Sequence, residues 1–201
     1  YQFYRAETAE RKITSQMLNE ITPASIKIFH VGSVALIDGQ DADLWERKFC
    51  ELGEQGVITS LDPNIRELLV KNKQQYLDRL KRMSKYANIL KLSDEDFNYM
   101  VPEVSLEDAF DEICKTTEAE IIVLTMGEKG ARVKTCEFSF EVSAAVCDPL
   151  VDTVGAGDTF MGTILAGCRI SQDKATTDMS TPKVFAMSEI VINSLLDFGS
   201  F

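Results

Sequence analysis

The arrangement of apolar and polar residues switches repeatedly along the chain between continuous apolar runs and amphipathic stretches. Four apolar runs, at 26–31, 57–61, 87–92 and 120–125, predict buried strands. Apolar residues at helical spacing predict helices over 43–55, 74–86 and 105–117. Strands and helices therefore alternate with short connections. This pattern predicts an α/β fold, a doubly wound and mainly parallel sheet with helices on both faces.

The predicted helices carry core and capping signals. Two of them are expected to enter the core through Leu44, Phe49 and Leu52, and through Leu77, Leu80 and Tyr86. Ser93 is a predicted N-cap, since three acids follow it in the first turn, where the helix dipole favours negative charge. Ser105 begins a sequence that resembles a capping box, with Asp108 three residues further on.

Beyond Gly127 the apolar pattern changes. Residues 131–136 and 138–143 alternate between apolar and polar and predict an antiparallel pair of strands. One helix is expected after Gly155 and another over 182–196, and the polar segment 171–182 is expected to be a loop.

Composition excludes several classes of function. The 201 residues include 32 acidic and 21 basic side chains, and a net charge of −11 disfavours binding to nucleic acid or to an anionic membrane surface. The five cysteines form no C-x-x-C pair, which favours a reducing compartment, the cytoplasm or a plastid. The single histidine, His30, is expected to be structural, and it alone could supply the base of a Ser-His-Asp triad.

The segment 152–160 carries the clearest chemical signal. Two glycines, Gly155 and Gly157, stand between a strand and a helix, so backbone N–H groups can converge on an anion at the helix N-terminus. The segment is neither a Walker A loop nor a complete dinucleotide fingerprint. Asp158 would repel a phosphate unless its carboxylate orients an attacking hydroxyl and accepts the proton late in the transfer. An Asp that only caps a helix after a glycine turn fits these residues equally well.

The run DTVGAGD at 152–158 resembles the C-terminal signature of the ribokinase-like (PfkB) carbohydrate kinases. Other segments resemble that family in the same order: FYR at 3–5, HVGS at 30–33, DPNIR at 62–66, ANILKLSDED at 87–96 and TMGEKGA at 125–131. The DPNIR segment is similar to that of fructokinase-like members. Ser93 and Asp96 stand where the family has the Asn and Glu of an Asn-x-x-Glu motif.

The resemblance implies a role for each matching residue. Asp158 is the expected catalytic base toward a sugar hydroxyl, and the amides of Gly155, Ala156, Gly157 and Asp158 are the expected anion hole. Arg66 is a candidate contact to the substrate or to the transferred phosphate. The implied ATP contacts are Lys91, Ser93, Thr125, Gly127, Gly130, Gly155 and Gly157. Mg²⁺ is expected to arrive mainly with ATP, near Asp96, and a monovalent cation such as K⁺ is implied at Asp152 and the carbonyl of Val154.

The resemblance also sets the expected extent of the protein. We expect one ribokinase-like domain over 1–201 that lacks the family's N-terminal part, most of its lid and its last contacts. Such a chain should transfer phosphate poorly alone, and the full-length protein is expected to dimerise. The implied function is ATP-dependent phosphorylation of a sugar, with fructose favoured.

Other functions stay open at this point. A 2-keto-3-deoxygluconate kinase or a nucleoside kinase would have the same fold. A catalytically silent relative that serves as an interaction or regulatory module is a further alternative. A nucleotide-binding oxidoreductase is disfavoured by the incomplete dinucleotide fingerprint.

Overall fold

A computed structural model describes residues 5, 7–21, 25–135, 138–144 and 154–175, and the chain forms two compact units, Tyr1–Leu124 and Thr125–Phe201. The strands are β1 (Ile28–Gly32), β2 (Ile58–Asp62), β3 (Ile89–Ser93), β4 (Ile121–Thr125), β5 (Ala131–Thr135) and β6 (Ser139–Val142). The helices are α1 (Ser15–Ile21), α2 (Gly39–Glu54), α3 (Lys73–Ser84), α4 (Asp94–Met100), α5 (Leu106–Thr116) and α6 (Ala156–Ala175).

The strands of the first unit lie in the order β1-β2-β3-β4. β1 and β2 are parallel with Ile28 opposite Ile58, and β2 and β3 are parallel with Leu61 opposite Leu90. All of β2 and four of the five residues in both β3 and β4 are buried, as is usual for parallel strands covered on both faces. The predicted α/β fold with a mainly parallel sheet is confirmed.

The second unit contains the predicted antiparallel pair. β5 and β6 pair with Val133 opposite Phe140 and Arg132 opposite Glu141. The helix predicted after Gly155 is α6, which buries Met161, Ile164 and Cys168 at the spacing of one helix face. The predicted helix over 182–196 lies outside the described residues.

Two predicted boundaries were wrong, and one helix was not predicted. α2 begins at Gly39, four residues before the predicted start, because the polar run 39–41 hides its first turn. α1 was not predicted at all, since only Leu18 of its seven residues is a buried apolar side chain. α6 continues to Ala175, so residues 171–175 of the predicted loop are helical, and the rest of that segment lies outside the described residues.

The core of the first unit follows the predicted face of α2 but, apart from Leu80, not that of α3. Leu44, Phe49 and Leu52 are buried, as expected. In α3 the buried face carries Tyr76, Leu80 and Met83, whereas Leu77 and Tyr86 are only half-buried. Arg79 lies on the same face of α3. Because Arg79 is charged, the pattern of apolar residues predicted that a different face of the helix is buried.

Arg79 is buried because α2 supplies its partners. Its guanidinium pairs with Asp43 and Glu46, and Nη1 donates to the carbonyl oxygen of Leu36 at 2.8 Å. Burial alone would raise the pKa of Glu46, but hydrogen bonds from Arg82 and Arg79 outweigh it and hold that pKa below its usual range.

Within the described residues, no helix is both long and apolar enough to cross a bilayer.

Candidate functional site

A buried ion pair joins the carboxyl ends of β2 and β3. Nζ of Lys91 lies 3.0 Å from each carboxylate oxygen of Asp62, and the side chains of Lys91 and Asp62 are 4% and 5% exposed. The register that sets Leu61 opposite Leu90 brings the next residues of the two strands side by side. Lys91 therefore already uses two of its three N–H donors. Its implied contact to ATP stays a prediction, and that contact would use the third N–H donor.

The turn after β2 is fixed by its backbone. Asn64 has a φ of 41°, in the left-handed region that Asn tolerates better than most residues. Ser33, after β1, also has a positive φ, of 52°, and its N–H donates to the carbonyl oxygen of Pro63 at 3.0 Å. Arg66 follows this turn as a half-buried residue, and a short 3₁₀ helix over Glu67–Leu69 comes after it.

Ser93 and Asp96 form the predicted N-cap of α4, here as a complete capping box. The N–H of Asp96 donates to Oγ of Ser93 at 3.1 Å, and the N–H of Ser93 donates to Oδ2 of Asp96 at 2.8 Å. The other oxygen of this carboxylate, Oδ1, accepts the N–H of Ile65 at 2.7 Å. Asp96 is 2% exposed, so it links the start of α4 to the turn that carries Arg66.

This arrangement does not suit Asp96 as a direct Mg²⁺ ligand. Asp96 is 2% exposed and each of its oxygens accepts a backbone N–H, so the site has little space for the several waters that Mg²⁺ keeps in its nearly ideal octahedral shell. Among the described residues, no three His, Cys, Asp or Glu side chains converge as a metal site would need. Asp152, the implied ligand of a monovalent cation, lies outside the described residues.

A glycine turn follows β4 in the second unit. Thr125 ends β4, and a 3₁₀ helix over Gly127–Lys129 leads to Gly130. The N–H of Met126 donates to the carbonyl oxygen of Gly130 at 2.8 Å, which closes the turn. Gly127 and Gly130 have φ values of 56° and 93°, and Gly127 is exposed. Their implied contacts to ATP stay predictions.

The two glycines of this turn should respond differently to substitution. A Cβ on Gly130 would collide with the carbonyl oxygen of Val142, and its φ of 93° also excludes a side chain, so we expect Gly130→Ala to destabilise the second unit by about 3 kcal/mol or more. A Cβ on Gly127 meets no atom within 4 Å, so Gly127→Ala should cost about 1 kcal/mol, for its backbone conformation alone. Hydrogen exchange of the β5 and β6 amides measures both effects, and equal losses of protection would contradict this prediction.

The N-terminus of α6 presents the predicted glycine motif. Gly155 has a φ of 80° and precedes the first helical residue, Ala156, and the N–H of Thr159 donates to the carbonyl oxygen of Gly155 at 2.8 Å. The N–H groups of Ala156, Gly157 and Asp158 thus occupy the first turn, where a helix offers donors without intrahelical acceptors. Asp158 is exposed in that same turn. Donors, helix dipole and a solvent-accessible carboxylate therefore occur together at one helix end.

The structure brings some of the predicted residues together within each unit. In the first unit, Asp96 connects Ser93 to the turn that precedes Arg66. In the second unit, Gly155 directly precedes the first turn of α6, which contains Asp158. His30 is exposed on β1 with Nδ1 3.0 Å from Oγ of Ser60, and its expected structural role stays a prediction.

Two features of the first unit were not predicted. One is the ion pair of Asp62 and Lys91. The sequence could have suggested it, because both residues lie near the carboxyl ends of strands that were predicted to be parallel. The other is Tyr76, which is 1% exposed, and whose hydroxyl has no hydrogen-bond partner among the residues that the structure describes. Burial raises the pKa of Tyr76, and the charge of Asp96 raises it further.

Comparison with known proteins shows which proteins the chain is similar to. The family model described as "pfkB family carbohydrate kinase" matches residues 2–174. A fructokinase of Rhizobium leguminosarum bv. trifolii is 34% identical over 170 residues, which cover 85% of this chain and 51% of that protein. A probable fructokinase-4 of Arabidopsis thaliana is 30% identical over 178 residues, which cover 89% of this chain and 54% of the relative.

A solved structure shows the same fold. A fructokinase from Vibrio cholerae O395, in a fructose, ADP and calcium ion bound form, aligns with a TM-score of 0.75 and 23% identity. The alignment covers 96% of this chain and 58% of that one. The chain spans about half the length of the curated relatives it matches.

Proposed function

The chain belongs to the pfkB family of carbohydrate kinases, and we propose that it serves the transfer of the γ-phosphoryl group of ATP to a hydroxyl of a sugar. Fructose is the first candidate, since the two curated relatives at 30% and 34% identity are fructokinases. The observation that carries the proposal is the N-terminus of α6, where Asp158 is exposed in a first turn that begins after Gly155.

The chemistry of the proposed transfer divides between the side chain and the backbone of this turn. The carboxylate of Asp158 orients the sugar hydroxyl and accepts its proton, while the hydroxyl oxygen forms a bond to the γ-phosphorus of ATP. The bond between that phosphorus and the bridging oxygen of ADP breaks, and ADP leaves. The N–H groups of Ala156, Gly157 and Asp158 stabilise the charge on the transferred group.

Arg66 is the proposed second contact to the substrate or to the transferred phosphoryl group. A guanidinium can form two parallel hydrogen bonds with phosphate oxygens, and its charge opposes the negative field of a chain with a net charge of −11. The left-handed backbone of Asn64 and the hydrogen bond from the N–H of Ile65 to Asp96 fix the position of the backbone that leads into Arg66. Mg²⁺ bound with ATP would supply further neutralisation of the phosphate charge.

The proposal is tested with the full-length gene product, ATP and Mg²⁺. We expect ADP to form at a rate that depends on fructose, and ³¹P NMR should show a sugar phosphate. Parallel reactions with 2-keto-3-deoxygluconate and with a nucleoside test the two substrate alternatives. Binding of ATP without turnover on any of these substrates would overturn the proposal in favour of a catalytically silent relative.

A further inference from the structure

Asp96 lies between two segments that follow the neighbouring strands β2 and β3. One is the first turn of α4, and the other is the turn that links β2 to Arg66 and contains Asn64. The contacts differ in range along the sequence: Ser93 is three residues away, whereas Ile65 is 31 residues away. A local capping box needs only the first contact, so the second contact indicates a function beyond helix capping.

Both oxygens of the Asp96 carboxylate accept short hydrogen bonds. Its two oxygens accept N–H donors at 2.7 and 2.8 Å, which is the range of charge-assisted hydrogen bonds. Exposure of only 2% leaves little room for the waters that Mg²⁺ normally retains. Asp94 and Glu95, the neighbouring acids of the same helix turn, are in contrast not among the buried residues.

We infer that Asp96 is a positioning residue that clamps the Arg66 turn to the N-terminus of α4, and that it is not a ligand of Mg²⁺. The turn is held at three points: Asp62 by Lys91, the carbonyl of Pro63 by the N–H of Ser33, and the N–H of Ile65 by Asp96. The last of these is adjacent to Arg66. Asp96 therefore fixes the direction of the backbone that leads into Arg66. That direction determines how the Arg66 guanidinium approaches the substrate. Only this last step rests on the proposed function.

The first test needs no catalysis. In ¹⁵N-labelled protein without nucleotide, we expect Mn²⁺ at micromolar concentration to leave the amide signals of Ile65 and Ser93 unbroadened. Asp96→Asn offers one acceptor oxygen where the carboxylate has two, so the exchange of at least one of these two amides should become tenfold faster or more. Asp94→Asn, which changes an acid in the same turn, should leave both amides protected. Selective broadening of Ile65 and Ser93 by Mn²⁺ that disappears in Asp96→Asn would overturn the inference.

The second test separates positioning from metal binding in the full-length gene product. We expect Asp96→Asn to lower kcat about tenfold while the Mg²⁺ concentration for half-maximal rate changes less than twofold. A tenfold or larger rise in that Mg²⁺ concentration would identify Asp96 as a metal ligand. Circular dichroism confirms that the variant folds, and the Mn²⁺ experiment on the unsubstituted protein requires no variant at all. If no sugar is phosphorylated, the proposed function fails, yet the amide and Mn²⁺ results still decide the role of Asp96.

Discussion

Asp158→Asn is expected to lower the rate of phosphoryl transfer by a factor of about 10² to 10⁴, the usual contribution of a positioned general base. The amide keeps the shape of the side chain but cannot accept the proton of the sugar hydroxyl. Because Asp158 is exposed, the substitution removes little packing. Its cost in unfolding free energy should be limited to the lost interaction with the helix dipole, about 0.3–1 kcal/mol. Steady-state kinetics with ATP and fructose on the full-length gene product measures the effect.

A matched control for this variant lies at the start of α5. Asp108 is the third residue of its helix and is exposed, as Asp158 is in α6. Asp108→Asn should therefore cost a similar small amount of stability and leave the rate of transfer within twofold of the unsubstituted protein. If Asp158→Asn retains more than a tenth of the activity, Asp158 only caps the helix and is not the base.

Local signals in the sequence predicted what local interactions determine. The strands β2, β3 and β4 are continuous apolar runs because they are buried on both faces, so their positions were predicted to within about two residues. The cap at Ser93 was predicted from the three acids that follow it, and one of them, Asp96, is its partner three residues away. The glycine turn before α6 was predicted because only glycine adopts such a φ without strain.

Interactions between distant residues could not be predicted in the same way. The buried face of α3 contains Arg79, whose burial depends on Asp43 and Glu46 in α2, more than 30 residues earlier. A pattern based on apolar residues alone therefore favoured Leu77 over Tyr76. The contact between Asp96 and Ile65 is equally distant, and the sequence explained an acid at that position only by the helix dipole and by the family's metal site. In these cases the partner, rather than the residue type, determines what the side chain does.

The pair of Asp62 and Lys91 should be among the strongest contributions to the stability of the first unit. Lys91→Met leaves the Asp62 carboxylate buried without its cation, and we expect a loss of about 3–5 kcal/mol in unfolding free energy. Trp45, the single tryptophan, contacts Phe29 at 6.2 Å between ring centroids, so its fluorescence during urea unfolding reports on the first unit. Lys71→Met is the control, because Lys71 is 85% exposed in its pair with Asp38 and should contribute at most about 1 kcal/mol.

The double variant Asp62→Asn, Lys91→Met distinguishes the charges from the packing. With both charges removed, the burial penalty disappears, so this protein should recover most of the stability that Lys91→Met alone loses. Failure to recover would show that hydrogen bonds and packing, rather than an uncompensated charge, cause the loss. Because the double variant is expected to fold, its affinity for ATP also tests the implied phosphate contact of Lys91. A tenfold weaker affinity would establish that contact, whereas an unchanged affinity would leave the lysine with a structural role, as the cationic partner of the Asp62 carboxylate at the end of β2.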